Sequence, residues 1–265
     1  YKNELFGPIL CVMKAKGLGE AINLVNGTPY GLTSGIETLA REEVRYWKQH
    51  IKAGNLYANR GTTGAIVQRQ PFGGMKASGF GFGMKAGGPN YVRQFINIEN
   101  IDASLTEIKK SYQDAYLSYF NKEIDYSKIR GQHNTCRYLK TKKVLITINE
   151  TTKNHQLEMV ILACKVLKIP FEIYTQNGNL KLQEYQINKV ANFETLLKNL
   201  NGDTIIRNLQ EKLPDLFLKE CHKINFHVYS RRPHPNGRFE LLNYLTEQSL
   251  SINYHRYGNL MGEND

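Results

Sequence analysis

The chain has 265 residues, 41% of them hydrophobic, enough for one or two domains with a real core. It contains no run of about 18 apolar residues, so no transmembrane helix is expected, and no secretory signal pattern is read at its start. The formal net charge of +11 is spread along the chain and not gathered in a basic stripe with interleaved aromatics. A nucleic-acid surface is therefore not expected, whereas anionic substrates or cofactors suit the sign.

In chain order, residues 5–13 (LFGPILCVM) form a short apolar run that predicts a buried strand. A native chain seldom starts at the edge of a core strand, so further sequence before Tyr1 is expected. Residues 18–26 predict a short helix that ends before Gly27-Thr28-Pro29-Tyr30, and residues 30–37 a turn and a strand. Residues 40–52 read as an amphipathic helix with Val44, Trp47 and Ile51 at helical spacing, and Gly54 stops it. Asn55 to Asn59 is a strand, and residues 60–90 form a long glycine-rich loop.

The chain divides near residue 100. Ser104 and Glu107 have capping-box spacing and open a connecting helix that carries Leu105, Ile108, Tyr112 and Tyr119 on one face. A βα alternation follows: strand 143–149, helix 152–168, strand 171–175, helix 191–200, strand 204–208, helix 213–223 and strand 225–230. Such alternation predicts a parallel sheet covered on both faces. A final helix, 237–249, runs into a polar and aromatic tail.

Little of this carries chemistry by pattern alone. Cys11, Cys136, Cys164 and Cys221 make no CxxC pair, which argues against zinc or a disulfide framework and for reduced, cytoplasmic surroundings. Cys11 and Cys164 lie in apolar runs and read as small core residues. The seven histidines form no HxxxH or HExxH pattern, so no metal site is expected. Gly79-Phe80-Gly81-Phe82-Gly83 follows Pro71-Phe72-Gly73-Gly74 and no strand, so it reads as an ordered loop and not a dinucleotide fingerprint. The strand VLITIN has the right context for such a site, but it runs into Glu150-Thr151-Thr152-Lys153 without a glycine for close phosphate approach.

Longer words change the argument. Glu4-Leu5-Phe6-Gly7-Pro8, then residues 26–35 (NGTPYGLTSG), residues 53–59 (AGNLYAN) and residues 71–79 (PFGGMKASG) resemble, in that order, motifs of the aldehyde dehydrogenase superfamily. Residues 59–74 (NRGTTGAIVQRQPFGG) and 86–91 (AGGPNY) resemble the enzymes that oxidise L-glutamate γ-semialdehyde, the open form of pyrroline-5-carboxylate. Gly131-Gln132-His133-Asn134, Arg137-Tyr138-Leu139 and the ending 247–260 are similar to bacterial bifunctional proline utilization A, in which a proline dehydrogenase domain carrying FAD comes first.

The resemblance implies an α/β protein: the C-terminal portion of an aldehyde dehydrogenase catalytic domain (1–101), a helical connector (102–137), a Rossmann-like module (138–235), and a terminal helix with a lid-like tail (236–265). In that family a cysteine thiolate attacks the aldehyde, hydride leaves to NAD, and water releases the acid. The nucleophile and the glutamate base are expected upstream of residue 1, so no catalytic residue is assigned here and the isolated chain is expected to be inactive. Glu4 resembles the carboxylate that accepts bonds from the nicotinamide-ribose hydroxyls, and Phe6 the aromatic beside the nicotinamide. Gly64 and Ala65 resemble the loop whose backbone N–H groups hold the substrate α-carboxylate, with Phe72 against the substrate methylenes. The partners implied are the semialdehyde, the protein's own N-terminal domains and further copies in a homo-oligomer; membrane association would come only through a flavin domain. A non-catalytic structural or assembly module remains open as the alternative, and nucleic-acid binding through the positive charge is a distant third.

Overall fold

The computed structural model describes residues 1–79, 84–99, 101–197, 203–224, 226–256 and 259–260. The first elements are α1 (Leu18–Asn26), β1 (Tyr30–Gly31), β2 (Thr33–Ile36), α2 (Arg41–His50), β3 (Asn55–Ala58) and β4 (Met75–Lys76). Next come α3 (Leu105–Ala115), β5 (Ile124–Asp125), β6 (Gln132–Lys140), β7 (Lys143–Thr147), α4 (Asn154–Leu167), β8 (Phe171–Thr175) and β9 (Ile187–Lys189). The last are α5 (Glu194–Leu197), β10 (Thr204–Asn208), α6 (Asp215–Lys223), β11 (Val228–Tyr229), α7 (Gly237–Glu240) and β12 (Leu245–Asn253), followed by the short pair β13 (His255–Arg256) and β14 (Asn259–Leu260).

These elements form two compact units: residues 1–96, 123–137 and 247–265 make the first, and residues 97–122 and 138–246 the second. The units cut across the segment boundaries expected from sequence. The expected connector 102–137 is divided, its capped helix going to the second unit and residues 123–137 to the first.

In the first unit, β2, β3, β12, β6 and β5 build one sheet in that order. Strand β3 is flanked in parallel by β2, with Thr33 opposite Asn55, and by β12, with Ser249 opposite Asn55. Helices α1 and α2 cover this sheet. Ile22, Trp47 and Ile51 pack with Leu56, Ala58 and Leu250 in one buried cluster, so the 3.6-residue periodicity of Val44, Trp47 and Ile51 meets the alternation of β3. Position 54 is where the geometry demands glycine: a Cβ there would lie 1.9 Å from the Gly73 carbonyl oxygen.

In the second unit, β11, β10, β7, β8 and β9 form a parallel five-stranded sheet. Its central strands β7 and β10 are almost wholly buried, as in a sheet covered on both faces, whereas β9 at the edge is not. Leu145 and Ile206 pack with Phe193, Leu213, Phe217 and Cys221 on one side. Ser104 caps α3 through the expected capping box, its hydroxyl accepting from Glu107 N–H while the Glu107 carboxylate accepts from Ser104 N–H at 2.8 Å. Ile108 and Tyr112 of α3 are buried, while Leu105 and Tyr119 reach solvent. Helix α3 packs against α7, where a Cβ on Gly237 would come within 2.5 Å of Ser111 O.

Four expectations are corrected. Residues 5–13 form no strand: Phe6 is fully exposed, as is most of Leu10, and among the described residues no strand pairs with them. An apolar run forms a core strand only where a sheet edge accepts it. Cys11, on the same segment, is exposed and not a core residue, whereas Cys164 is buried. Helix 237–249 ends early; a short 3-10 turn follows α7 and the chain becomes β12, because Leu250 and Ile252 find a parallel partner in β3 that outweighs local preference. Within 191–200 only Glu194–Leu197 is helical among the described residues; residues 198–200, like 80–83 of the glycine run, lie outside them. No helix among the described residues is long and apolar enough to cross a membrane.

Candidate substrate-loop site

The words read from the sequence fold onto one another in the first unit. Residues 26–35 meet residues 71–79 through the antiparallel pair β1–β4, with Tyr30 opposite Lys76. The Lys76 ammonium donates to the carbonyls of Asn26 at 2.8 Å and Thr28 at 2.9 Å, and Gly31 N–H donates to Ser78 Oγ at 3.1 Å. Burial, helped by the nearby Lys52 charge, lowers the Lys76 pKa.

Asn55 then ties the 71–74 turn to β3. Its Nδ2 donates to Pro71 O at 3.0 Å, and its Oδ1 accepts from Gly73 N–H at 3.1 Å and from Lys85 Nζ at 2.9 Å. Lys85 Nζ also donates to the Gly73 carbonyl. Phe72, between these anchors, exchanges two 2.9 Å backbone bonds with Ala86. Phe72 as a whole remains 40% exposed, so its backbone is fixed while part of the residue reaches solvent.

The loop before this turn has its own support. Gly64 has φ +82°, and no atom lies within 4 Å of where its Cβ would stand. Ala65 is exposed beside it. The next residues close a turn, with Arg69 N–H donating to Ile66 O at 3.0 Å and Gln70 N–H donating to the same oxygen at 2.8 Å. Gln70 is 2% exposed, and its Nε2 donates to Asn134 Oδ1 at 3.0 Å and to Ser251 Oγ at 3.1 Å.

Strand β12 supplies much of this support. Glu247 accepts from Lys85 N–H at 2.7 Å and from Asn90 Nδ2 at 2.6 Å. Gln248 Oε1 accepts from Arg137 Nε at 2.8 Å, Ser249 Oγ donates to Pro71 O at 3.0 Å, and Ser251 Oγ donates to Asn134 Oδ1 at 2.7 Å. Tyr254 closes the series: its hydroxyl accepts from Gly131 N–H at 2.8 Å and its ring stacks on His133, centroids 4.5 Å apart.

Electrostatics separates support from reactivity. Burial pulls Lys85 down to about 8, opposed by the neighbouring Cys136 and Glu247. Burial and the Glu247 charge push the Cys136 thiol up to about 12, so it stays protonated at neutral pH and has no nucleophilic character. Burial likewise takes Cys164 up to about 12 and Cys221 to about 11. Among the described residues no group of three or more His, Cys, Asp or Glu side chains is placed to hold a metal ion.

Glu4 and Phe6 stand apart from the loop. Both are exposed on a segment without regular secondary structure, and among the described residues no hydrogen bond or ion pair links Glu4 to Gly64, Ala65 or Phe72. Asn55, Gln70 and Lys85 carried no role in the sequence reading. They sit inside or beside words that were quoted, but a buried amide in a strand leaves no periodic trace.

Residues 1–101 match the model of the aldehyde dehydrogenase family. The 1-pyrroline-5-carboxylate dehydrogenase of Oceanobacillus iheyensis is 45% identical over 96 residues, which is 36% of this chain and 18% of that protein. The enzyme of the same name from Bacillus cereus (strain B4264) is 46% identical over 104 residues, 39% of this chain and 20% of that protein. Among solved structures, proline utilization A (PutA) from Corynebacterium freiburgense superposes with a TM-score of 0.77 at 30% identity, over 98% of this chain and 26% of that one. The chain thus spans 20% or less of those two curated relatives and 26% of that structure.

Proposed function

We propose, from a chain whose residues 1–101 match the model of the aldehyde dehydrogenase family, that it works as the C-terminal portion of an enzyme oxidising L-glutamate γ-semialdehyde to L-glutamate with NAD. The observation that carries this is the likeness to PutA over 98% of the chain, which takes in both compact units, whereas the two dehydrogenases match only 36% and 39% of it. FAD chemistry would belong to a proline dehydrogenase domain outside these residues, and none of this chain's side chains is assigned to it.

The residues present fit NAD at one end. The Glu4 carboxylate and the fully exposed Phe6 ring lie two residues apart, with no hydrogen-bond or ion-pair partner for Glu4 among the described residues, and suit a ribose diol and a nicotinamide. NAD, when bound, accepts the hydride of the aldehyde carbon. This chain's own residues bind and orient. No atom lies within 4 Å of where a Gly64 Cβ would stand and Ala65 is exposed, so this stretch leaves room for the α-carboxylate, since glycine permits close backbone approach. The Phe72 face suits the methylenes between carboxylate and aldehyde. The attacking thiolate and the general base are assigned to parts of the enzyme outside these residues, in keeping with the protonated, buried state of Cys136.

The β7–α4 corner of the second unit is read as a structural turn. Asn149 Oδ1 accepts from Thr151 N–H at 3.2 Å and Thr151 Oγ1 at 2.9 Å, so side chains fill the place where a glycine-rich loop would cradle phosphate. Residues 247–253 belong to β12, and the tail beyond them, of which residues 257–258 lie outside the described ones, is read as the lid that the resemblance implies.

The test is NADH formation from the semialdehyde by the longer protein, with Glu4→Gln and Gly64→Val as variants. Glu4→Gln raises the KM for NAD, because an amide accepts weaker bonds than a carboxylate. Gly64→Val lowers the preference for aldehydes bearing an α-carboxylate, because a β-branched residue does not tolerate φ +82°. Full activity of the isolated 265-residue chain, or a wild-type enzyme that ignores the semialdehyde, overturns the reading.

A further inference from the structure

We infer that Lys85 is a positioning residue for Phe72, the aromatic side chain assigned to the substrate methylenes: its ammonium holds the Gly73 carbonyl, and the buried Glu247 carboxylate on β12 fixes its own backbone, so that Phe72 is presented in one place. The inference rests on the assignment of Phe72 to the semialdehyde site.

Lys85 is 1% exposed, an unusual place for a lysine, and among the described residues no carboxylate is bonded to its ammonium. Its Nζ donates instead to two neutral acceptors, Asn55 Oδ1 at 2.9 Å and Gly73 O. A methylene stem that only filled space would be served by methionine or leucine without the desolvation cost of an ammonium. The two acceptors lie on the segments that position Phe72: Asn55 begins β3, and Gly73 follows Phe72 directly. On its other side the Lys85 backbone N–H donates to Glu247 at 2.7 Å, and Ala86, its neighbour, makes both backbone bonds to Phe72. The Phe72 peptide is thus held through its own N–H and C=O by Ala86 and through the following carbonyl by Lys85. Phe72 is half-exposed, and its side chain is the part these bonds leave free.

Glu247 connects this arrangement to β12. Its two oxygens take separate donors, Lys85 N–H and Asn90 Nδ2, and it is 2% exposed. A buried carboxylate with two donors fixes the 85–90 segment against β12, and Lys85 passes that position on to the turn. Neither Lys85 nor Glu247 points at open space, so neither touches substrate. Their effect on the reaction runs through Phe72.

The experiment uses the longer enzyme with Lys85→Met, which keeps the stem and removes the donors. The expected result is a rise of roughly tenfold in KM for glutamate semialdehyde, the size of one lost hydrogen bond, with kcat and the KM for NAD little changed. Formaldehyde, which has no methylenes for Phe72 to pack on, should show the same kcat/KM in both enzymes. With Phe72→Leu as second change, the double variant should be no worse than Phe72→Leu alone. If Lys85→Met does not fold, Glu247→Gln, which keeps one acceptor oxygen, should give a smaller rise in the same KM. Equal losses for all aldehydes, or additive effects with Phe72→Leu, overturn the inference and leave Lys85 a structural residue. A wild-type enzyme without semialdehyde turnover removes the functional reading first, and the inference with it.

Discussion

Gln70 Nε2 and Ser251 Oγ, 181 residues apart in sequence, meet at 3.1 Å in the interior of the first unit. The same Nε2 donates to Asn134 Oδ1, and Gln70 Oε1 accepts from Ile66 N–H at 3.3 Å, so one amide joins the 66–70 turn to two strands. Arg60 NH1 donates to the same serine oxygen at 2.5 Å. Replacing Gln70 by Leu keeps the volume roughly but leaves the Ile66 N–H without its side-chain acceptor. The expected cost is about 1–3 kcal/mol, read as a lower urea midpoint. An unchanged midpoint would show that the turn holds without its amide.

Gly54 makes a sharper demand. Its missing side chain is the space in which the Gly73 carbonyl sits, and the obstructing atom is backbone. Gly54→Ala is expected to destabilise the first unit by about 3 kcal/mol, at the upper end for overpacking, because β3 and the 71–74 turn cannot both keep their places. Gly7→Ala, where no atom lies within 4 Å, is the control and should stay near wild type.

The second unit has a buried charge pair that works by a different rule. Arg207 NH2 donates to Glu240 Oε1 at 2.9 Å with both side chains essentially inaccessible, and the Tyr244 hydroxyl donates to the same carboxylate at 2.7 Å. Burial alone would lower the Arg207 pKa, but the Glu240 and Tyr244 contacts outweigh it, and Arg207 stays charged. Removing one partner, by Glu240→Gln or Arg207→Met, should cost about 3–5 kcal/mol, because the other charge is left alone in the core. The double variant should recover much of that loss in a thermal melt. Strictly additive losses would mean the two residues act independently.

Acid should weaken the first unit through Glu123. Burial would raise its pKa, but bonds from Lys48 and Thr135 and the charges of Lys48 and Arg137 prevail, and the pKa falls below its ordinary 4.5. Lys48 Nζ lies 2.5 Å from the carboxylate. With the folded value below the unfolded one, the contribution is present above the unfolded pKa and is lost as pH falls through the folded value. Stability should therefore decline below about pH 4.5, and Glu123→Gln should flatten that decline. Equal acid sensitivity in the variant would assign the effect elsewhere, for example to Asp125. Burial raises that pKa, but the N–H groups of Asn134, Lys128 and Ser127 lower it further.

Much of the architecture was legible in local patterns. The βα alternation from residue 143 predicted a parallel sheet, and Val144, Leu145 and Ile146 are buried within one. The capping box at Ser104 and the helix carrying Trp47 were visible because their signals span only a few residues. What could not be read was long-range. Whether LFGPILCVM is buried depends on a sheet edge that the run itself does not specify. Whether residues 245–253 are strand or helix is decided by β3, nearly two hundred residues earlier, and the alternation of Leu250 and Ile252 is too short to outvote the helical reading. At the candidate site, the family words singled out the 64–72 loop, but the supports of that loop are buried amides and a buried lysine, identifiable only when partners from distant segments are in place.

The tail poses the last test, and the structure sets where it must be cut. A lid excludes water from a closing site, so its loss should remove aldehyde oxidation without unfolding the protein. Deleting residues 250–265 cannot make that distinction. Leu250 is buried and lies opposite Leu56, and Ser251 and Ile252 continue the parallel ladder with Tyr57 and Ala58, so this cut takes an interior strand out of the sheet. It should lower stability by several kcal/mol through lost burial and through donors that lose their acceptors, such as Arg60 NH1 on Ser251 and Gly131 N–H on Tyr254. Stopping after Tyr254 is different. That cut leaves β12 intact, with the Tyr254 hydroxyl on Gly131 N–H and the ring on His133. If the end of the chain is a lid, the longer enzyme cut after Tyr254 should melt within a degree or two of the intact protein while its NADH production from glutamate semialdehyde falls by at least tenfold. If the segment only finishes the fold, activity per folded molecule should be retained. Normal oxidation with an unchanged melting temperature would therefore dismiss the lid and leave β12 as the part of the tail that matters.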